Sequence, residues 1–287
     1  MRAASFQIPL LTTLAMIAFA SNSLLNRLAL GQKTIDPTSY TTIRLTSGAV
    51  MLFLIASRPS LQKKNGQAIL RGSGISAALL FLYAITFSFA YLSLSAGTGA
   101  LILFGSVQVT MLLVALKRGE RPQVMEWIGL GLALGGLVYL VFPGLAAPSL
   151  LGSVLMMLAG IAWGFYSIRG RGSQNPLADT AGNFVYAVPM ILVILLIAFR
   201  NIQVSANGIM LATLSGALAS GVGYVIWYAA LRGLTTTRAA IVQLSVPVIA
   251  AWSGVLLLAE TLSTRLLIAA VLILGGIALS VLSRGKK

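Results

Sequence analysis

The chain contains no cysteine and no histidine. Disulfides, thiolate chemistry, imidazole metal ligands and histidine proton relays are thereby excluded. Carboxylates are nearly as scarce: Asp36, Glu120, Glu126, Asp179 and Glu260 are the whole set in 287 residues. So few acids argue against a two-carboxylate catalytic site. Charged residues of all kinds make up 9% of the chain, against roughly 25% in a soluble globular domain. A surface that poor in charge suits lipid, where charge is costly. Phosphate loops are missing too. No Gly-Lys-Ser/Thr follows Gly129-Leu130-Gly131 or the cluster Gly216, Gly221 and Gly223. Those glycines are read as sites of close helix packing, and an ATP-driven pump is argued against.

What is present is apolar sequence, 58% of the residues, in long runs. A membrane span needs about 20 mostly apolar residues. Ten such runs occur, at 8–30, 38–57, 74–95, 97–116, 124–142, 149–169, 180–199, 208–231, 237–258 and 264–283. Turn residues such as Gly31, Asp36-Pro37, Pro59, Pro143-Gly144 and Asn201 separate them. The expected fold is an all-α membrane protein of ten transmembrane helices, with no linker long enough for a soluble domain.

The formal net charge of +15 is not read as a nucleic-acid signal, because the basic residues fall in short loops between apolar runs. With the N-terminus inside the cell, fifteen Lys and Arg lie in inner segments. Lys33, Arg200 and Arg265 lie outside, and Arg27 and Arg44 lie within spans. The positive-inside rule then places both termini in the cytoplasm. Arg2, an apolar run and Ala18-Phe19-Ala20 together resemble a cleavable secretory signal. The same segment recurs in mid-chain, however, so a retained span is expected.

That recurrence is general. Leu14–Phe19 matches Leu158–Trp163, 144 residues on, and Ser106–Val109 matches Ser245–Val248, 139 residues on. Glu120 matches Glu260, and Gly135-Gly136 matches Gly275-Gly276, each 140 residues on. Two five-span repeats are expected, at 1–142 and 149–287. An odd number of spans inverts the second, a transporter architecture with its substrate site near the midplane between the halves.

Ala239–Val248, Leu256–Glu260 and Gly275-Gly276, with the matching copy ending at Gly119-Glu120 and Gly135-Gly136, resemble the signature of EamA-type proteins of the drug/metabolite transporter superfamily. The resemblance covers nearly the whole chain. It implies a ten-helix inverted-repeat carrier of the bacterial inner membrane. It also implies export of small zwitterionic or neutral metabolites, commonly amino acids or related compounds. Leu262 stands where the first copy has Pro122, which is read as a loop difference. No cofactor, metal or nucleic acid is called for. The partners expected are a small-molecule substrate and the lipid bilayer, with a homodimer left open.

Polar residues within spans should face the bundle interior. Phe19, Asn22, Ser23 and Asn26 share one face of the first span, and Tyr40, Arg44 and Ser47 one face of the second. Tyr83 and Thr86, Gln108, Trp163 with Tyr166, Ser220 with Tyr224, Trp227 and Tyr228, and Gln243 supply the rest. The candidate substrate residues are Asn22, Asn26, Arg44, Tyr83, Gln108, Trp163, Tyr166, Tyr224, Trp227 and Gln243. Each has a structural alternative, as interface anchor, back-bonded hydroxyl or interhelical tie. Pro247 is expected to break the ninth helix, with Gln243 facing a central cavity.

Arg44 is the sharpest case. No acid lies mid-span to offset it, so its fork is expected to take a substrate carboxylate, with Asn22 or Asn26 nearby. The alternative is a guanidinium that only caps helix carbonyls. Arg27 is expected to snorkel to the outer interface. Glu120 and Glu260 are read either as latches or as carboxylates stabilised at the start of the next helix. A multidrug exporter of lipophilic cations would want a buried carboxylate, and no span has one in its middle. A non-transporting membrane protein would leave the repeat unexplained. Cytoplasmic termini carry a direct test: a reporter fused after Lys287 should be active in the cytoplasm, and activity confined to the periplasm would overturn the orientation.

Overall fold

The structure, a computed structural model, describes residues 2–58, 70–117, 124–142, 144, 147–170, 173–231, 233–234, 239 and 242–284. Among the described residues it is helical throughout, apart from one isolated bridge between Ile35 and Val204. The elements are α1 (Arg2–Gly31), α2 (Pro37–Ala56), α3 (Gly74–Ala90), α4 (Ala96–Lys117) and α5 (Val124–Val141), followed by α6 (Leu150–Gly170) and α7 (Pro176–Ile197). Then come α8 (Ala206–Leu231), α9 (Ser245–Leu258) and α10 (Thr264–Arg284). Seven of them are long and apolar enough to cross a membrane; α3, α9 and the Thr264–Ser280 stretch of α10 are shorter apolar helices.

Local chemistry sets several boundaries differently from hydropathy. Asp36 caps α2, accepting from the Thr38 and Ser39 amides at 3.0 and 2.9 Å, with Pro37 at the first helical position. Asn175-Pro176 repeats that device at α7, so α7 starts at Pro176 rather than at 180. The third helix stops at Ala90 rather than 95, because Tyr91–Leu94 turn and Ser95 accepts from the Thr98 amide to start α4. Leu244 lies in a turn, three residues before Pro247, which occupies the first turn of α9 where a missing N–H is tolerated. Part of the expected ninth span, including 237, 238, 240 and 241, lies outside the described residues.

Polarity is distributed inside out. Large apolar side chains such as Val50, Leu54, Val138, Leu196, Leu256 and Val271 point away from the bundle, while Asn22, Asn26, Thr41, Arg44, Ser88 and Ser220 are buried within it. This is the order expected when the surrounding medium is lipid. The central packing joins α1 to α8 and α9, α2 to α7 and α8, α3 to α6 and α7, and α4 to α6 and α9. Exchanging each helix with the one five places later maps α1–α8 onto α6–α3, α1–α9 onto α6–α4, and α2–α8 onto α7–α3. The helix starts are also tied to one another. Ahead of α2 and α8, the Asp36 amide donates to the Gln203 carbonyl at 2.8 Å and the Ser205 amide to that of Thr34 at 3.0 Å. Ahead of α3, the Arg71 amide donates to the Ala178 carbonyl and the Ser73 amide to Asn183 Oδ1, both within α7 and both at 3.0 Å.

The pair α5–α10 packs backbone to backbone. A Cβ on Gly129 would come within 2.4 Å of the Gly276 carbonyl oxygen, whereas one on Gly131 would meet nothing within 4 Å. Gly129→Ala should therefore push the two helices apart, lowering stability by about 1–3 kcal/mol, as overpacking does. The check is the melting temperature in detergent, with Gly131→Ala expected to match the wild type.

Candidate functional site

Arg44 lies mid-way along α2 and is 2% exposed. Its Nη2 donates to the Tyr83 hydroxyl at 3.0 Å, and Nε and Nη2 approach Ser220 Oγ at 3.4 and 3.5 Å. Its guanidinium carbon sits over the rings of Phe87 and Tyr83, at 5.1 and 5.3 Å from their centroids. Its Nη1 is buried and has no hydrogen-bond partner among the described residues. No carboxylate among them reaches it, and their ion pair is Arg27–Glu260.

The backbone around Arg44 is shaped to bring polar groups there. Residues Leu214–Val222 of α8 are π-helical, a local widening frequent at functional sites. Gly216 within that stretch sits so close to α2 that a Cβ would lie 2.1 Å from the Arg44 carbonyl oxygen. Ser220, further along the same stretch, meets the guanidinium, and Ser215 lies beside Gly216. Both hydroxyls donate to Asn22 Oδ1 on α1, at 2.8 and 3.3 Å. Asn22 therefore reaches Arg44 through Ser220 rather than directly. Asn26, one turn on, joins a separate chain: its amide donates to the Tyr40 hydroxyl at 3.1 Å and its Oδ1 accepts from Ser88 at 3.2 Å.

Aromatic rings fill the space beside the charge. Trp163 stacks with Tyr166 and with Tyr224, at 5.2 and 5.3 Å between centroids, and lies 4.8 Å from Tyr83. Phe19 meets Tyr224 and Trp227 edge-on, each at 5.8 Å. Eight expected residues thus gather in two linked clusters drawn from both halves: Asn22, Asn26, Arg44, Tyr83, Trp163, Tyr166, Tyr224 and Trp227. Gln108 and Gln243 are not among Arg44's partners. Both are half-buried, and Gln243 turns its amide back to the Ala239 carbonyl at 3.2 Å, four residues earlier. Sequence reasoning passed over Phe87, Ser88 and Ser215. Phe87 follows Tyr83 by four residues, a helical spacing that hydropathy alone does not mark.

Arg27 is held by a carboxylate. Its Nε meets Glu260 Oε1 at 2.9 Å, and its Nη1 donates to the Tyr91 carbonyl at 3.3 Å. Glu260 Oε2 accepts the Ala96 amide at 2.9 Å, so the helix start it stabilises is that of α4, not that of the next helix, α10. Ala259, in the left-handed conformation at φ 52°, ends α9 and turns Glu260 back across the bundle. Glu120 lies outside the described residues. Contacting ionic pairs are energetically coupled. A double-mutant cycle of Arg27→Gln and Glu260→Gln, read by unfolding in detergent, should give about 0.5–3 kcal/mol of interaction energy.

A model of the EamA-like transporter family matches this chain twice, at residues 8–142 and 150–282. The chain belongs to the EamA-like transporter family. It is therefore a multi-pass membrane protein of a transporter family. It is 52% identical to an uncharacterized protein of Pseudomonas aeruginosa over 94% of this chain and 93% of that one. A Salmonella typhimurium protein named "Probable amino-acid metabolite efflux pump" is 27% identical over 81% and 84% of the two chains. Its Escherichia coli namesake is 28% identical over 71% and 76%. A solved crystal structure covering 94% of this chain and 96% of its own superposes with a TM-score of 0.65 at 19% identity, a likeness of fold.

Proposed function

We propose that this EamA-family protein is a secondary carrier of the bacterial inner membrane that exports small metabolites of the amino-acid class by alternating access. It crosses the membrane ten times as two inverted five-helix repeats, 1–142 and 149–287, with both termini in the cytoplasm. The double match to one family model, the exchangeable helix pairings and the paired caps before α2 and α7 support the repeat. The names of the relatives from Salmonella and Escherichia support the substrate class.

One observation carries the binding site. Arg44 brings a permanent positive charge into the bundle, and Nη1 is left without a partner among the described residues. A buried, unmatched guanidinium is a strong acceptor-seeking group, and a carboxylate matches its planar fork. A site for lipophilic cations would need the opposite charge, and the residues around Arg44 offer none.

Purified carrier in proteoliposomes, assayed with the twenty labelled L-amino acids and ethidium, tests the reading. Carboxylate-bearing solutes should move and ethidium should not. Arg44→Gln, in protein shown to be folded, should lower carboxylate transport by about 10–100-fold, the value of one charge-assisted hydrogen bond. Unchanged rate and affinity in that variant would overturn the assignment of Arg44.

A further inference from the structure

We propose that the Arg44 site selects monoanionic carboxylates over zwitterions: its preferred solutes are amino-acid derivatives whose α-nitrogen is absent or acylated, such as 2-oxo acids or N-acyl amino acids. The proposal rests on the reading of Arg44 as the carboxylate-binding residue, and it concerns the atoms two bonds away from that carboxylate.

An α-ammonium placed there needs acceptors, and the oxygens that Arg44 itself contacts among the described residues already take donors. Asn22 Oδ1 takes the hydroxyls of both Ser215 and Ser220. Ser220 Oγ and the Tyr83 hydroxyl oxygen accept from the guanidinium itself. The Arg44 carbonyl oxygen takes the Ser47 hydroxyl at 3.2 Å. Asn26 Oδ1, in the neighbouring chain, is held by Ser88. The faces of Tyr83 and Phe87 that would receive a cation already carry Arg44.

Three of the described carboxylates are committed elsewhere: Asp36 caps α2 and also accepts the Gln203 amide, Asp179 accepts the Ser173 hydroxyl, and Glu260 is shared between Arg27 and the start of α4. Glu126 lies in the first turn of α5, which packs against α10.

Charge counting points the same way. Arginine does not deprotonate in a protein. Guanidinium plus monoanion is neutral and can be enclosed away from water. Guanidinium plus zwitterion keeps one net positive charge, with two cationic groups repelling each other across a low-dielectric space. The apolar part of the solute meets no such conflict, because Trp163, Tyr224 and Phe19 supply rings next to the charge.

The test uses the full-length carrier in proteoliposomes at neutral pH, with protein-free vesicles subtracted for passive entry of weak acids. Six labelled probes suffice: L-leucine, 4-methyl-2-oxopentanoate and N-acetyl-L-leucine, then L-phenylalanine, phenylpyruvate and N-acetyl-L-phenylalanine. The oxo acid or the N-acetyl compound should exceed its parent amino acid by about tenfold or more in kcat/KM. Arg44→Gln should erase the preference, and Tyr83→Phe, which keeps the charge, should retain it. If the parent amino acids move as well as their derivatives while Arg44→Gln still abolishes transport, the selectivity proposal falls and the carboxylate role of Arg44 stands. If none of the six moves, or if Arg44→Gln changes nothing, both fall. The wild-type ratio decides the selectivity even where a variant fails to fold.

Discussion

A guanidinium that cannot lose its proton lies inside a bundle whose outer surface is hydrocarbon, and the interior is arranged around that charge. Enclosing an unpaired ion costs several kcal/mol on order-of-magnitude grounds. Here the compensation comes from neutral dipoles and ring faces. Tyr83 and Phe87 reach Arg44 from α3, and Ser220 reaches it from α8. Ser220 is available because α8 widens into a π-helix and because residue 216 is glycine, which lets two helices approach to backbone contact. Asn22 then orients Ser215 and Ser220 from α1. Four helices are tied together by the need to meet one charge.

Much of this was legible in the sequence, and the reasons differ from residue to residue. Hydropathy located the helices because lipid imposes a length on each apolar run. Asp36-Pro37 was legible as a turn, since capping and proline placement are local chemistry. Arg44 stood out because a cation inside an apolar run demands an explanation, and Tyr83 followed from its place in a neighbouring span. Other features depend on three-dimensional approach and leave no local mark. The partner of Glu260 lies 233 residues away in Arg27. The bond of the Gln243 amide to the Ala239 carbonyl, four residues earlier, is a product of local backbone geometry that depth in the span does not reveal. The π-helical stretch carries glycines and serines, which report close packing without reporting a change of helical pitch.

The exchange of packing partners between helices five places apart extends to the caps, which fixes its scale. Asp36 and Asn175 do the same work on α2 and α7, each followed by proline. Ser73 and Ser205 do the same work on α3 and α8. The centre departs from this pattern: Arg44 on α2 has no charged counterpart on α7, where Asn183 instead binds the Ser73 amide and the Tyr166 hydroxyl. The caps recur five helices apart, and the charge does not.

Glu260 behaves like a mechanical detent. One oxygen holds Arg27 on α1 and the other holds the first amide of α4. The left-handed Ala259 before it fixes the direction of the side chain. Drawing α9 away from α1 and α4 must therefore release a charged pair and a helix-start amide together, because both depend on one carboxylate. Such a joint resists small displacements almost rigidly and then yields all at once, so that end of the bundle should show two settled positions rather than a continuous range.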